Sequence, residues 1–160
     1  MTSFESAIEF VLAQEGGLST DPDDPGGLTK FGISQRSYPD LDIRKLTKTA
    51  ATGILYKDYW LAAECDKMPF PIAIMVFDAA VNQGKPTAVG MLQKALKVTV
   101  DGVVGPQTLR AVRSANIQGL VCALVAKRAM KYAQSPQLTL YGPGWFQRLA
   151  VCHAESMTPF

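Results

Sequence analysis

Histidine is almost missing from this chain: His153 stands alone among 160 residues. A zinc amidase or metallopeptidase needs at least two imidazole ligands, so that class is set aside and no metal is expected. Cysteine is scarce and odd in number, with Cys65, Cys122 and Cys152 far apart. Neither a disulfide framework nor a zinc-knuckle spacing is present, which leaves buried, reduced thiols as the expectation. No apolar run approaches the roughly 20 residues of a membrane span, so no stable membrane insertion is expected. Met1 to Glu5 has neither the basic region nor the apolar core of a secretory signal. A large excess of one charge is lacking too, and a net charge of +2 is too small to argue for nucleic acid. Strict apolar–polar alternation is nearly absent, which leaves a mainly helical architecture.

What is present is enough for one domain with a real core: the chain is 48% hydrophobic and 19% charged. Thr2 and Glu5 form a capping box that starts a helix ending at Gly16-Gly17, where glycine would accept left-handed geometry. From Leu18 to Gln35 the density of Pro, Gly and Asp means a loop, with a short hairpin near Thr29 to Ile33. Thr47 caps a helix to about Glu64, and the apolar run from Pro71 to Val81 forms another that ends near Gly84. Pro86 and Pro106 each sit in the first turn of a further helix. A long helix over 117–134 turns Lys127, Arg128 and Lys131 to water. Tyr141-Gly142-Pro143-Gly144 predicts a turn before a last helix from Trp145 to about Glu155.

One carboxylate breaks this pattern. Phe4, Ile8, Val11 and Leu12 share a helical face, and Glu15 extends that stripe where a Leu would be expected. Desolvation and the negative end of the helix dipole both disfavour an ionised carboxyl there. A glutamate kept protonated in this way is a general acid, the group that protonates the leaving oxygen of a glycosidic bond.

The residues that follow carry a resemblance. Glu15-Gly16-Gly17, Asp21-Pro22, Asp24, Gly26-Gly27, Thr29 and Gly32-Ile33 resemble the signature of glycoside hydrolase family 108, the phage-type N-acetylmuramidases of the lysozyme-like superfamily. Tyr59-Trp60, Phe77-Asp78, Asn82-Gln83-Gly84, Asp101-Gly102-Val103-Val104-Gly105 and Gly144-Trp145 extend the resemblance over nearly the whole chain. It implies a mainly α, lysozyme-like single domain over 1–160. Residues 1–84 would be the catalytic half, and 85–160 a helical half resembling a peptidoglycan-binding region. The implied activity is cleavage of the β-1,4 bond between N-acetylmuramic acid and N-acetylglucosamine, without a cofactor. A monomer acting on bacterial peptidoglycan is expected, made in the host cytoplasm and released to the wall by a holin-type route.

Within that reading Glu15 is the acid, and Asp24 with Thr29 positions or activates water. Both are also turn-forming types, so a loop-holding role stays open for each. Asn82 and Asp78, four apart on an apolar helix, either meet sugar hydroxyls or satisfy structural hydrogen bonds. Tyr56, Tyr59 and Trp60 either stack on sugars or fill the core. Asp101-Gly102 is either part of a wall-binding motif or a turn between helices. The basic face at Lys127, Arg128 and Lys131 is either solvated or touches an anionic membrane or teichoic acid. Three other activities stay open: a lytic transglycosylase using the same glutamate, a non-catalytic wall-binding protein, and a hydrolase pairing His153 with a cysteine.

Overall fold

A computed structural model describes residues 2–20 and 27–158. Helix α1 (Ser3–Gln14) starts at the expected capping box. Thr2 Oγ1 accepts from the Glu5 N–H at 3.2 Å and Glu5 Oε2 accepts from the Thr2 N–H at 2.7 Å. Strands β1 (Thr29–Lys30) and β2 (Ile33–Ser34) pair antiparallel, with Thr29 opposite Ser34. Phe31 and Gly32 join them with φ of 53° and 78°. Two positive φ values in a two-residue loop are what a type I′ hairpin requires. Ser19 bridges Thr29 from the other side.

Helix α2 (Lys48–Leu55) begins where Thr47 Oγ1 accepts from the Ala50 N–H. It does not continue to Glu64 as one α-helix. A π-helical turn over Tyr56–Trp60 and a 3₁₀ turn over Leu61–Ala63 follow, and the segment stops at Glu64 with φ 54°. Helix α3 (Phe70–Gln83) is buried without interruption from Ile72 to Ala80. A helix apolar all round belongs at the centre of a fold, and α3 packs against α1, α4, α6 and α7. Helix α4 (Lys85–Leu96) follows after Gly84, whose φ of 87° makes the corner, and α5 (Pro106–Ser114) opens on its proline. Helices α6 (Ile117–Ala133) and α7 (Leu138–Ser156) complete the bundle. The mainly α fold with one small hairpin is the one expected from the sequence.

Three further details differ from expectation. Gly16 and Gly17 do not take positive φ; the helix stops one residue earlier, with Glu15 extended at φ −83°, ψ 115°. Helix α7 runs straight through Tyr141 to Gly144. Pro143 removes only the N–H that would reach the carbonyl of Thr139, and Thr139 is exposed, so water can satisfy it. Arg128 is fully buried on α6, in line with Leu124 and Tyr132, while Met130 is exposed. A buried guanidinium needs an anion, and the core supplies one.

Phe4, Trp60 and Phe77 lock α1, the π turn and α3 together, with ring centroids 5.4–6.0 Å apart. Edge-on aromatic pairs of this kind contribute about 0.5–1.5 kcal/mol each beyond their buried area. They fix the direction of α1 and hence where its last residue points.

Candidate active site

Glu15 caps α1, its N–H donating to Val11 O at 2.9 Å. Its extended backbone swings the side chain off the helix into a groove of about 930 Å³. Arg148 Nη1 donates to Glu15 Oε1 at 2.6 Å, and the glutamate side chain keeps 17% exposure. Behind it lies Gly32. A Cβ on Gly32 would stand 3.2 Å from Glu15 Cγ and Cδ and 2.9 Å from Val81 Cγ1. That residue therefore supplies both the positive φ of the hairpin and the space for the carboxylate.

Arg148 is held in turn. Its Nε and Nη2 lie 2.8 and 2.7 Å from Asp78 Oδ1, while Arg128 Nη2 donates to Asp78 Oδ2 at 2.7 Å. Burial alone would raise the Asp78 pKa, but the two guanidiniums outweigh it and hold the carboxyl below its usual range. Burial would likewise strip charge from Arg148 and Arg128. Asp78, joined by Glu15 at Arg148, reverses this and keeps both cations charged. Two i,i+4 pairs face each other here: Asp78 and Asn82 on α3, Arg128 and Tyr132 on α6. Arg128 Nη2 donates to the Tyr132 oxygen at 3.1 Å, and the Tyr132 O–H donates to Asn82 Oδ1 at 2.7 Å. A continuous chain of hydrogen bonds, charge-assisted up to Tyr132, thus runs from Glu15 to Asn82, both of which line the groove.

The π turn forms another part of the lining. An extra residue in a helical turn re-aims the side chains it carries. Here it puts Asp58 and Tyr59 on the groove and Trp60 in the core. Tyr38 donates its O–H to Asp58 Oδ2 at 2.8 Å. Burial pushes the Tyr59 phenol up, outweighing its hydrogen bond with Tyr38, and the nearby carboxylates Asp58 and Glu15 add to the rise. Burial also raises Tyr38, with Asp58 contributing. Both phenols are therefore neutral across the physiological range. Thr29 lines the groove with its hydroxyl donating to Gly27 O at 3.2 Å, which leaves oxygen lone pairs to accept. Tyr141 and Trp145 of α7 contribute aromatic surface, Trp145 stacked on Tyr132 at 5.3 Å.

The structure brings Glu15, Thr29 and Asn82 to one groove. Asp24 lies outside the described residues, as do Asp21, Asp23 and Gly26. Two substrate-contact expectations are corrected. Asp78 is 0% exposed with both oxygens taken by arginines, so it holds Arg148 instead of touching a ligand. Trp60, at 2% exposure, is a core residue of the aromatic cluster. Tyr56 is exposed and packs on Phe4, beside the groove lining and not in it. Tyr59, by contrast, does line the groove.

Arg148, Asp58 and Tyr38 were missed from the sequence, and Gly32 was read there only as part of the family signature. The signal for Arg148 was available: with Leu149 and Cys152 it belongs to the buried stripe of α7, a charge among apolar residues just as Glu15 is on α1. Glu15 itself is ion-paired, not the lone carboxyl expected from its position.

Asp101-Gly102 is explained by local structure. Gln93 Nε2 donates to Asp101 Oδ1, Val103 O and Thr108 Oγ1, and its Oε1 accepts from the N–H groups of Asp101 and Gly102. The connector is wound around one buried amide. All three cysteines are free, but Cys122 is exposed, against expectation. Burial pushes the Cys65 and Cys152 thiols up, away from the reactive thiolate. Among the described residues no group of three or more His, Cys, Asp or Glu could hold a metal, and no helix is long and apolar enough to cross a membrane.

Comparison with known proteins bears on this groove. Residues 8–84 match glycosyl hydrolase 108, and residues 87–150 match the family described as a predicted peptidoglycan domain. A solved structure of Brucella abortus SagA is similar over nearly the whole length, with a TM-score of 0.91 and 31% identity. The alignment covers 97% of this chain and 94% of that one. No curated protein matches the chain.

Proposed function

Since this chain belongs to the glycosyl hydrolase 108 family, we propose that it is a peptidoglycan hydrolase cutting the β-1,4 bond between N-acetylmuramic acid and N-acetylglucosamine. The observation that carries this reading is Glu15, projecting into the groove with one oxygen anchored by Arg148. The anchored oxygen fixes the carboxyl plane, and the second oxygen is left to deliver a proton to the bridging oxygen of the sugar chain. Pre-set geometry of this kind lowers the barrier because the acid need not be oriented at the moment of reaction.

Water attacks from the other side of the scissile carbon. We assign its orientation to Thr29, whose hydroxyl oxygen can accept from water, and to Asp24, which enters on its place in the sequence motif. Asn82, held by Tyr132, offers its amide N–H groups to sugar oxygens or acetamido carbonyls. The hydroxyl oxygens of the neutral phenols Tyr38 and Tyr59 can accept from sugar hydroxyls, and Trp145 offers a stacking face.

Mass spectrometry of digested peptidoglycan tests the bond. The expected products carry reducing N-acetylmuramic ends. Products ending in 1,6-anhydro-muramic acid would replace hydrolysis with lytic transglycosylation at the same glutamate, and new free amino groups without glycan scission would reject the reading.

A further inference from the structure

The net charge of +2 conceals a strong polarity along the chain. Residues 1–84 hold seven Lys or Arg against twelve Asp or Glu, whereas residues 85–160 hold nine against two. Arg128 and Arg148 are neutralised internally by Asp78 and Glu15. Three of the remaining cations, Lys94, Lys127 and Lys131, converge on one concavity of about 470 Å³ between α4 and α6. Neither helix contains a single Asp or Glu, and among the described residues no acid lines the concavity. None of the three lysines is in an ion pair among the described residues. Lys127 and Lys131 stand one helical turn apart, where like charges repel.

We propose that this concavity binds the carboxylate-bearing peptide stems that branch from the glycan strand. The inference rests on the muramidase reading, since that reading supplies the strand. Two observations connect them. Pro86 lines both the concavity and the groove that holds Glu15, so the two depressions adjoin. A glycan lying in the groove therefore brings its side branches to the lysines. The second observation is the mixed chemistry of the lining. Met91, Val100 and Met130 contribute apolar surface, and Val100 and Met130 are 50% and 62% exposed. Cations beside small apolar surfaces fit a short peptide in which carboxylates alternate with alanine methyl groups.

The test compares glycan strands that keep their stems with the same strands stripped of peptide by an amidase. In the triple variant Lys94→Gln, Lys127→Gln, Lys131→Gln, KM on stem-bearing strands should rise roughly three- to tenfold at low salt, as expected for a few solvent-screened ion pairs. Turnover at saturation should hold, stripped strands should be cut as by the parent, and the difference should shrink in high salt. A synthetic stem peptide should shift the amide resonances of α4 and α6 in the parent protein, and its fully amidated form should not. Equal loss on both substrates would overturn the proposal, because it would mean general attraction to the wall. So would displacement by teichoic acid or anionic vesicles but not by the stem peptide, and so would an unchanged KM. Should the parent cut neither substrate, the muramidase reading fails, and the peptide titration still decides on the concavity.

Discussion

Replacing Asp78 by asparagine removes the one anion on which two guanidiniums converge while keeping side-chain volume. In the parent, Asp78 and Arg128 are 0% exposed and Arg148 only 8%. All three of the distances that join them are 2.7–2.8 Å. Asparagine can accept at one oxygen only, so its amide N–H₂ group would face an N–H of the other arginine. Both guanidiniums would keep their charge while the one buried carboxylate they share is gone. Removing one partner of a buried pair costs about 3–5 kcal/mol, much of it the penalty on the charge left behind. For a domain of this length that lowers the melting midpoint by roughly 6–20 °C. Urea unfolding followed by two probes measures the change, provided that their transitions coincide. The double variant Asp78→Asn, Arg128→Gln should be less destabilised than the two single losses added together, by about 1 kcal/mol or more. A midpoint for Asp78→Asn within about 2 °C of the parent would refute the account of the core.

Two other outcomes follow from the same geometry. Gly32→Ala should cost about 1–2 kcal/mol for the left-handed backbone and, by crowding Glu15, lower turnover roughly tenfold or more. Unfolding curves and kcat measured on the same preparation separate the two effects, and full activity would show that Gly32 does not set the carboxylate position. The Asp78 carboxyl is held below its unfolded value of about 3.9. Its contribution is complete above that pH and is lost as pH falls through the folded value. Stability plotted against pH should therefore fall more steeply below about pH 4 in the parent than in Asp78→Asn; identical acid slopes would contradict the assignment.

Much of this architecture could be read from residue patterns because local signals and tertiary demands agree there. Thr2 with Glu5, Thr47, Pro86 and Pro106 start helices where capping chemistry says they should, and the apolar run before Gly84 became the central helix. Misreadings came where one residue type serves two masters. Pro143 and its glycines look like a turn, yet a proline near the start of a helix costs a single hydrogen bond at an exposed carbonyl. Arg128 looks solvent-directed until Asp78, fifty residues away, is known to face it. The same long-range pairing hid the role of Asp78, because a carboxylate and an amide four apart on α3 suggest a ligand only while the arginines are out of view. Arg148 and Glu15, 133 residues apart, meet through the packing of α7 on α3, which no local window contains. The π turn at Tyr56–Trp60 decided which aromatic faces the groove and which the core, and a register change of that kind leaves no periodic trace.

In the proposed reaction one carboxyl group, that of Glu15, transfers the proton that breaks the sugar bridge. Glu15→Gln keeps the size and the acceptor for Arg148 but has no proton to give. Turnover of purified glycan strands by this variant, alongside its melting curve, is the most direct measurement. Turnover should fall about 10²–10⁴-fold in a protein that still folds cooperatively. Turnover within about threefold of the parent, well short of what loss of a general acid costs, would contradict it.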